Sequence, residues 1–145
     1  VGNTPNKEYL KKCQNFINEN NIENIHFIGS VDSHKISDLM NSSLLLLMAS
    51  SYEGLPRVLI ESSLCGLPSL SSSIRGISSP FGDQGGTLLY EYNNSSEFHQ
   101  KLNKFINNKT LQEELSKKCQ KLGADLAGEN MFLNNWIRVE QILYE

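Results

Sequence analysis

Cysteine is scarce in this sequence. Cys13, Cys65 and Cys119 are the three in 145 residues; they are odd in number and far apart, which excludes a disulfide scaffold and a zinc cluster. A reducing cytoplasm is the expected home. Charge of one sign is lacking too: 13 Lys+Arg against 16 Asp+Glu give a net charge of -3, with no surface for nucleic acid or an anionic membrane. Apolar runs are short. The longest, Leu44 to Ala49, cannot span a bilayer. The opening residues Val1-Gly2-Asn3-Thr4-Pro5 carry no charged stretch followed by an apolar one, so no signal peptide is expected. Histidines are few, and His26, His34 and His99 share no metal-ligand spacing, so no metal site is expected. Lys117, Lys118 and Lys121 read as a solvated face rather than a membrane contact.

What is present is an alternation of short apolar runs with longer amphipathic ones, the mark of βα repetition. His26–Gly29 predicts a strand closed by glycine. Leu44–Met48 predicts a second, apolar at every position and so buried on both faces of a parallel sheet. Ser69–Ser71 after Pro68 predicts a third, although the serine-rich stretch Ser69 to Ser79 also has the composition of a loop. Thr87–Tyr90 predicts a fourth. Helices are expected over about residues 6–20, after a cap at Asp32 or Ser33, and from Pro56 in the first turn to Gly66. Ser95 or Ser96 should cap another, with Phe98, Leu102, Phe105 and Ile106 on one face. Thr110 should begin the next, punctuated by Gly123 and Gly128, and Met131–Tyr144 should form the last, with Trp136 packed inward. The fold class is α/β: a doubly wound parallel sheet flanked by helices in one domain over residues 1–145.

In such sheets ligands bind beyond the carboxyl ends of the strands, near helix N-termini. That directs attention to Met48-Ala49-Ser50-Ser51-Tyr52-Glu53-Gly54-Leu55-Pro56-Arg57-Val58-Leu59-Ile60-Glu61, strand end, loop and helix start in succession. A helix starting near Pro56 aims free N–H groups and the positive end of its dipole at the crevice, an anion site. Pro56 has no N–H, so the donors would be Gly54, Leu55, Arg57 and Val58. Gly54 would let the backbone approach a bound group closely. From Pro56 to Glu61 the helix rises about 7.5 Å. A diphosphate at the helix end would thus have Glu53 above it and Glu61 below, each carboxylate suited to a vicinal diol. A plainer reading stands beside this one: Arg57 and Glu61 pair in solvent at i,i+4, and Glu53 merely complements the dipole.

Residues Ser51 to Glu61, with two glutamates flanking seven residues, resemble the C-terminal domain of the retaining GT-B glycosyltransferases known as glycosyltransferase group 1, or family 4. The resemblance continues in Cys65-Gly66-Leu67-Pro68, in Ile25-His26-Phe27-Ile28-Gly29 upstream, and in Ile74-Arg75-Gly76 and Gly85-Gly86-Thr87-Leu88-Leu89 downstream. It implies a Rossmann-like domain that binds a nucleotide-diphosphate sugar. Glu53 would contact the donor sugar and organise charge at the anomeric centre, as the catalytic residue. Glu61 would hold the ribose hydroxyls, the amides near Gly54 and Leu55 the diphosphate, and Gly29 and Ser30 the base. Arg57 belongs to the same binding segment, and Arg75 is either a phosphate contact or a plain loop arginine. The resemblance implies no cofactor, the donor being a UDP-, GDP- or ADP-sugar, and the sequence has no Asp-x-Asp motif.

Two positions depart from the family pattern: Ser79, where an acidic residue often follows the loop glycine, and the pair Ser62-Ser63, where alanine is commoner. Val1-Gly2 resembles the end of the family's second strand. The first βα unit and the N-terminal acceptor domain are therefore expected to be missing, and the fragment alone to be inactive. The expected activity of the full-length protein is sugar transfer with retention to a glycan or lipid-linked acceptor, in polysaccharide biosynthesis. Its place would be cytoplasmic or peripheral at the inner face of the membrane. The alternatives are a non-catalytic nucleotide-binding or assembly module, and a flavodoxin-like or receiver domain; against the latter, this sequence has no acidic pocket after an early strand, Asp32 standing nearly alone.

Overall fold

The computed structural model describes residues 6–54, 56–74, 77, 81–82 and 84–127. The expected helix Met131–Tyr144, with Trp136, lies outside them, as does the Val1–Pro5 segment. The chain divides into two compact units, residues 1–36 and 37–145.

In the first unit, α1 (Lys7–Glu19) is capped by Asn6, whose side chain accepts the Tyr9 N–H at 2.9 Å. Tyr9, Leu10, Cys13, Phe16 and Ile17 do recur at helical spacing, yet no residue of α1 is buried. The strand expected over His26–Gly29 does not form. That segment pairs with no described strand, and Phe27 and Ile28 are 50% and 53% exposed. A strand exists only through its ladder, so apolar composition without a neighbour leaves extended chain. Then α2 (Ser33–Asn41) begins directly after Asp32, whose carbonyl accepts the Lys35 N–H at 2.9 Å; its residues from Ser37 on belong to the second unit.

The second unit is built on a parallel sheet. Its strands are β1 (Leu46–Met48), β2 (Ser69–Ser73) and β3 (Thr87–Glu91), in the order β1-β2-β3. Leu46, Ser69 and Thr87 share one row; Met48, Ser71 and Leu89 share another. Helices α3 (Arg57–Leu64), α4 (Ser95–Ile106) and α5 (Lys109–Ala127) complete the unit. The core centres on Leu59, Ile77 and Phe81, with Leu46, Met48, Leu89 and Leu122 packed against them. Leu59 is fully buried, which contributes about 1.5–3 kcal/mol.

The buried strand is not the leucine strand. β1 is at the edge of the described sheet and Leu47 is 51% exposed, whereas Ser69, Leu70, Ser71 and Ser72 of β2 are all buried. The serine run is therefore strand as far as Ser73, not loop. At Ser69 and Ser72 polarity is tolerated because the hydroxyls find partners: Ser69 and Thr87 share a hydrogen bond of 2.7 Å, and Ser72 donates to the Ser50 carbonyl at 2.6 Å. A satisfied hydroxyl loses little on burial.

Helix ends differ from expectation in three places. Asn94, not Ser95 or Ser96, caps α4, accepting the Glu97 N–H at 3.0 Å. Asn108 serves α5 in the same way through Leu111. Pro56 is the N-cap residue of α3 rather than its first helical residue, and the helix ends at Leu64, with Cys65 as C-cap and Gly66 at φ +67° beyond it. Gly123 interrupts nothing: α5 runs through it, against the Ser63 carbonyl of α3. Ser62 and Ser63 both donate to the Leu59 carbonyl, at 3.0 and 2.8 Å, so serine satisfies itself inside α3.

Candidate active site

The loop from β1 to α3 leaves the carboxyl edge of the sheet, and each part of it is held by a different bond. At its root the Tyr90 hydroxyl reaches the Met48 carbonyl at 3.5 Å, a long and weak contact. Tyr90 is itself fixed by an edge-on ring contact with Phe98, centroids 5.2 Å apart. Burial raises the Tyr90 phenol above its ordinary pKa, with the neighbouring Tyr92 adding to the shift. Two residues further, the buried Ser72 hydroxyl fastens the Ser50 carbonyl. The Ser50 hydroxyl then donates to Glu53 Oε1 at 2.7 Å. That length is typical of a charge-assisted bond. Glu53 is half-buried, while Ser51, Tyr52 and Gly54 around it are exposed.

The helix beyond the loop has an open end. Asn6, Asn94 and Asn108 each receive a first-turn N–H of α1, α4 and α5, but Pro56 offers α3 no side-chain cap. Leu59 N–H bonds back to the Pro56 carbonyl at 3.0 Å. Among the described residues no side chain caps the N–H groups of Arg57 and Val58, which lie at the positive end of the helix dipole.

Glu61 stands half-buried on the second turn of α3. No ion pair joins it to Arg57 among the described residues. The pairs that do form among the described residues are Glu8–Lys12, Glu97–Lys101 and Glu114–Lys118, each with glutamate four residues ahead of lysine. Arg57 ahead of Glu61 is the less favourable order on a helix, which leaves both groups available. Glu97 is drawn below its ordinary pKa, first by its bond to Lys101 and then by the Glu91 N–H.

Gly54 does not use a backbone conformation reserved for glycine. Its φ is not in the left-handed region, and a Cβ there would meet nothing within 4 Å. What the position provides is open space, not an unusual backbone. Leu55 and Arg75 lie outside the described residues. Gly29, half-buried at φ +74°, and Ser30, exposed, belong to the first unit, whereas Glu53, Gly54, Arg57 and Glu61 belong to the second.

Sequence reasoning assigned no part to Ser50 or Ser72. The available signal was the spacing of Ser50 three residues before Glu53, within reach of a local side-chain bond. Two pockets flank the sheet. One of about 330 Å³ lies at the carboxyl edge between Ala49, Tyr90, Asn94 and Phe98. The other, about 520 Å³, lies at the amino edge among Leu44, Cys65, Pro68, Gln112 and Ser116. The second is larger, but parallel strands send their loops and the α3 terminus to the carboxyl edge, where the first lies.

A parallel sheet, helices on its faces and a carboxylate-bearing loop before an uncapped helix define a Rossmann-like α/β domain. The chain belongs to the family described as glycosyl transferases group 1, whose model matches residues 1–122. Over 105 residues, 72% of the chain, it is 31% identical to the amylovoran biosynthesis glycosyltransferase AmsD of Erwinia amylovora, of which it covers 29%. Over the same length it is 29% identical to an uncharacterized glycosyltransferase of Methanocaldococcus jannaschii, of which it covers 30%. The chain thus spans under a third of the length of these relatives. Among solved structures, HepE of Anabaena in complex with UDP and glucose superposes with a TM-score of 0.83 at 21% identity, over 100% of this chain and 40% of that one. Sucrose-phosphate synthase of Thermosynechococcus elongatus gives 0.81 at 16% identity, over 99% and 37%. Both share the GT-B fold expected from the sequence. No helix among the described residues is long and apolar enough to cross a membrane.

Proposed function

We propose that this domain binds a nucleotide-diphosphate sugar and, within the complete protein, transfers the sugar with retention in the manner of family 4. The observation that carries the reading is the pairing of an anchored carboxylate, Glu53, with the uncapped N-terminus of α3. The diphosphate would accept from the Arg57 and Val58 N–H groups, and from those of Gly54 and Leu55, as negative charge grows on it during departure. Glu53 would hold the donor sugar and stabilise positive charge at its anomeric carbon. Glu61 would accept from the ribose hydroxyls. Gly29 and Ser30 at the base, and Arg75 at a phosphate, complete the proposed set.

No resident cofactor or metal is proposed; the nucleotide sugar is a substrate, with UDP, GDP and ADP as candidate carriers. UDP in the HepE complexes supports a nucleotide donor, and the name of AmsD supports polysaccharide biosynthesis. The relatives are about two and a half times as long as this chain. We place acceptor binding, a glycan or lipid-linked sugar, on polypeptide outside residues 1–145, and the first βα unit of the domain with it. This stretch by itself then binds donor without turning it over. A cytoplasmic location, free or peripheral at the inner face of the membrane, suits its three free thiols.

The test is calorimetric titration of the complete protein with UDP-, GDP- and ADP-sugars, followed by a transfer assay that reads the anomeric configuration of the product by NMR. One donor should bind, and the product should keep the donor's configuration. Glu53→Ala should lower turnover by about a hundredfold or more with the thermal midpoint kept, and Glu61→Ala should chiefly weaken donor binding. No binding of any nucleotide sugar, or full turnover by Glu53→Ala, would overturn the proposal; an inverted product would overturn retention.

A further inference from the structure

We infer that Ser50 is a positioning residue for Glu53 and that Ser72 anchors it, so that the carboxylate is aimed before any donor arrives. This rests on the proposed role of Glu53 at the donor sugar.

Ser72 lies on the central strand, fully buried, and its hydroxyl donates to the Ser50 carbonyl at 2.6 Å. Ser50 in turn donates from its hydroxyl to Glu53 Oε1 at 2.7 Å. A path of two short bonds thus runs from the buried central strand to one oxygen of the carboxylate. The first fixes the backbone of the loop; the second fixes the side chain. Glu53 is flanked by exposed residues on both sides, and Gly54 beside it meets nothing within 4 Å. Without these bonds little else in the described structure would restrain it.

A glutamate loses rotamer freedom when it is ordered by a ligand. Where the protein orders it in advance, that cost leaves the reaction. Oε1 is taken by Ser50, and Oε2 has no partner among the described residues. It is therefore the oxygen presented to a sugar hydroxyl. Ser50 does not touch the donor. Its effect reaches the reaction only through Glu53.

Three variants of the complete protein test this: Ser50→Ala, Ser50→Thr and Ser72→Ala, each with donor turnover, donor KM and affinity for the nucleoside diphosphate alone. Ser50→Ala should lower kcat by roughly 10–100-fold, the usual scale for a residue that orients a functional group. The nucleoside diphosphate, which has no sugar to meet Glu53, should bind within about threefold of wild type. Ser50→Thr keeps the hydroxyl and should restore kcat to within about threefold. Ser72→Ala should move kcat in the same direction, with nucleotide affinity again kept.

A residue that merely holds the fold would lower nucleotide affinity and kcat together and would not be rescued by threonine. Either result overturns the inference. So does wild-type kcat in Ser50→Ala while Glu53→Ala is dead, an outcome that leaves the glycosyltransferase reading intact. Full activity of Glu53→Ala is the separate outcome that removes that reading instead.

Discussion

Gly123 of α5 crosses α3 so closely that a Cβ at that position would stand 2.6 Å from the Ser63 carbonyl oxygen and 2.9 Å from Leu64 Cα. Backbone atoms in a packed helix cannot step aside. Gly123→Ala would force α5 away from the helix that bears Glu61, and it should cost about 1–3 kcal/mol despite the better helix propensity of alanine. Urea unfolding of the variant against wild type gives the number; equal midpoints would show that the helices separate freely.

Gly54→Ala should behave in the opposite way. Its φ is outside the left-handed region and its surroundings are open, so alanine strains nothing. Stability should hold or rise by up to about 1 kcal/mol. If the diphosphate approaches here, the added methyl should weaken donor affinity by about tenfold, the effect of roughly 1.4 kcal/mol of misfit. Calorimetry and thermal melting on one sample separate the two effects. Unchanged affinity would move the diphosphate elsewhere.

Two serines of β2 should differ in sign. The Ser71 hydroxyl is fully buried with no hydrogen-bond partner among the described residues, in the row of Met48 and Leu89 that faces the apolar core. Ser71→Ala should be neutral or stabilising, because it removes an unpaired polar group. Ser69→Ala leaves the buried Thr87 hydroxyl alone and should cost about 1–3 kcal/mol. Chemical denaturation of both variants checks the contrast.

Cys119 supplies a pH test. Its thiol is buried against the carbonyls of Leu67 and Gly85, and burial pushes its pKa from an ordinary 9.0 up to about 11. As pH rises the unfolded chain loses this proton first, which favours unfolding. The contribution of the neutral thiol is therefore whole below pH 9.0 and is lost between 9.0 and about 11. The stability gap between wild type and Cys119→Ala should be flat from pH 7 to about 9 and narrow above it. A gap that stays constant to pH 11 would contradict the shift.

The βα rhythm was legible because apolar spacing sets helix faces, and the segment from Met48 to Glu61 folds as strand, loop and helix in the order read. The centre of the sheet was not. Four serines among the five residues Ser69–Ser73 give the third strand the composition of a loop, and composition does not reveal that Thr87 and the Ser50 carbonyl would receive two of them. Leu44–Met48 misled in the other direction, because apolar residues specify burial without saying which strand has two neighbours. The caps were read one residue late at Ser95 because serine and asparagine both serve, and only geometry chooses Asn94. Within the site, both glutamates and the helix end were visible in the sequence. The anchor on Glu53 was not, because Ser72 reaches Ser50 across 22 positions of sequence, a contact that only the fold brings about.

The serine-built strand has a consequence for how the sheet finds its alignment. Leucines accept any neighbour of similar bulk, so an all-apolar ladder tolerates a slip until its loops object. Hydroxyls do not. Displacing β2 by one residue would part Ser69 from Thr87 and Ser72 from Ser50 together, and would turn both side chains to the opposite face. The same bonds that hold the Glu53 loop thus act as a lock on registry, and a misaligned sheet could not present the carboxylate at all.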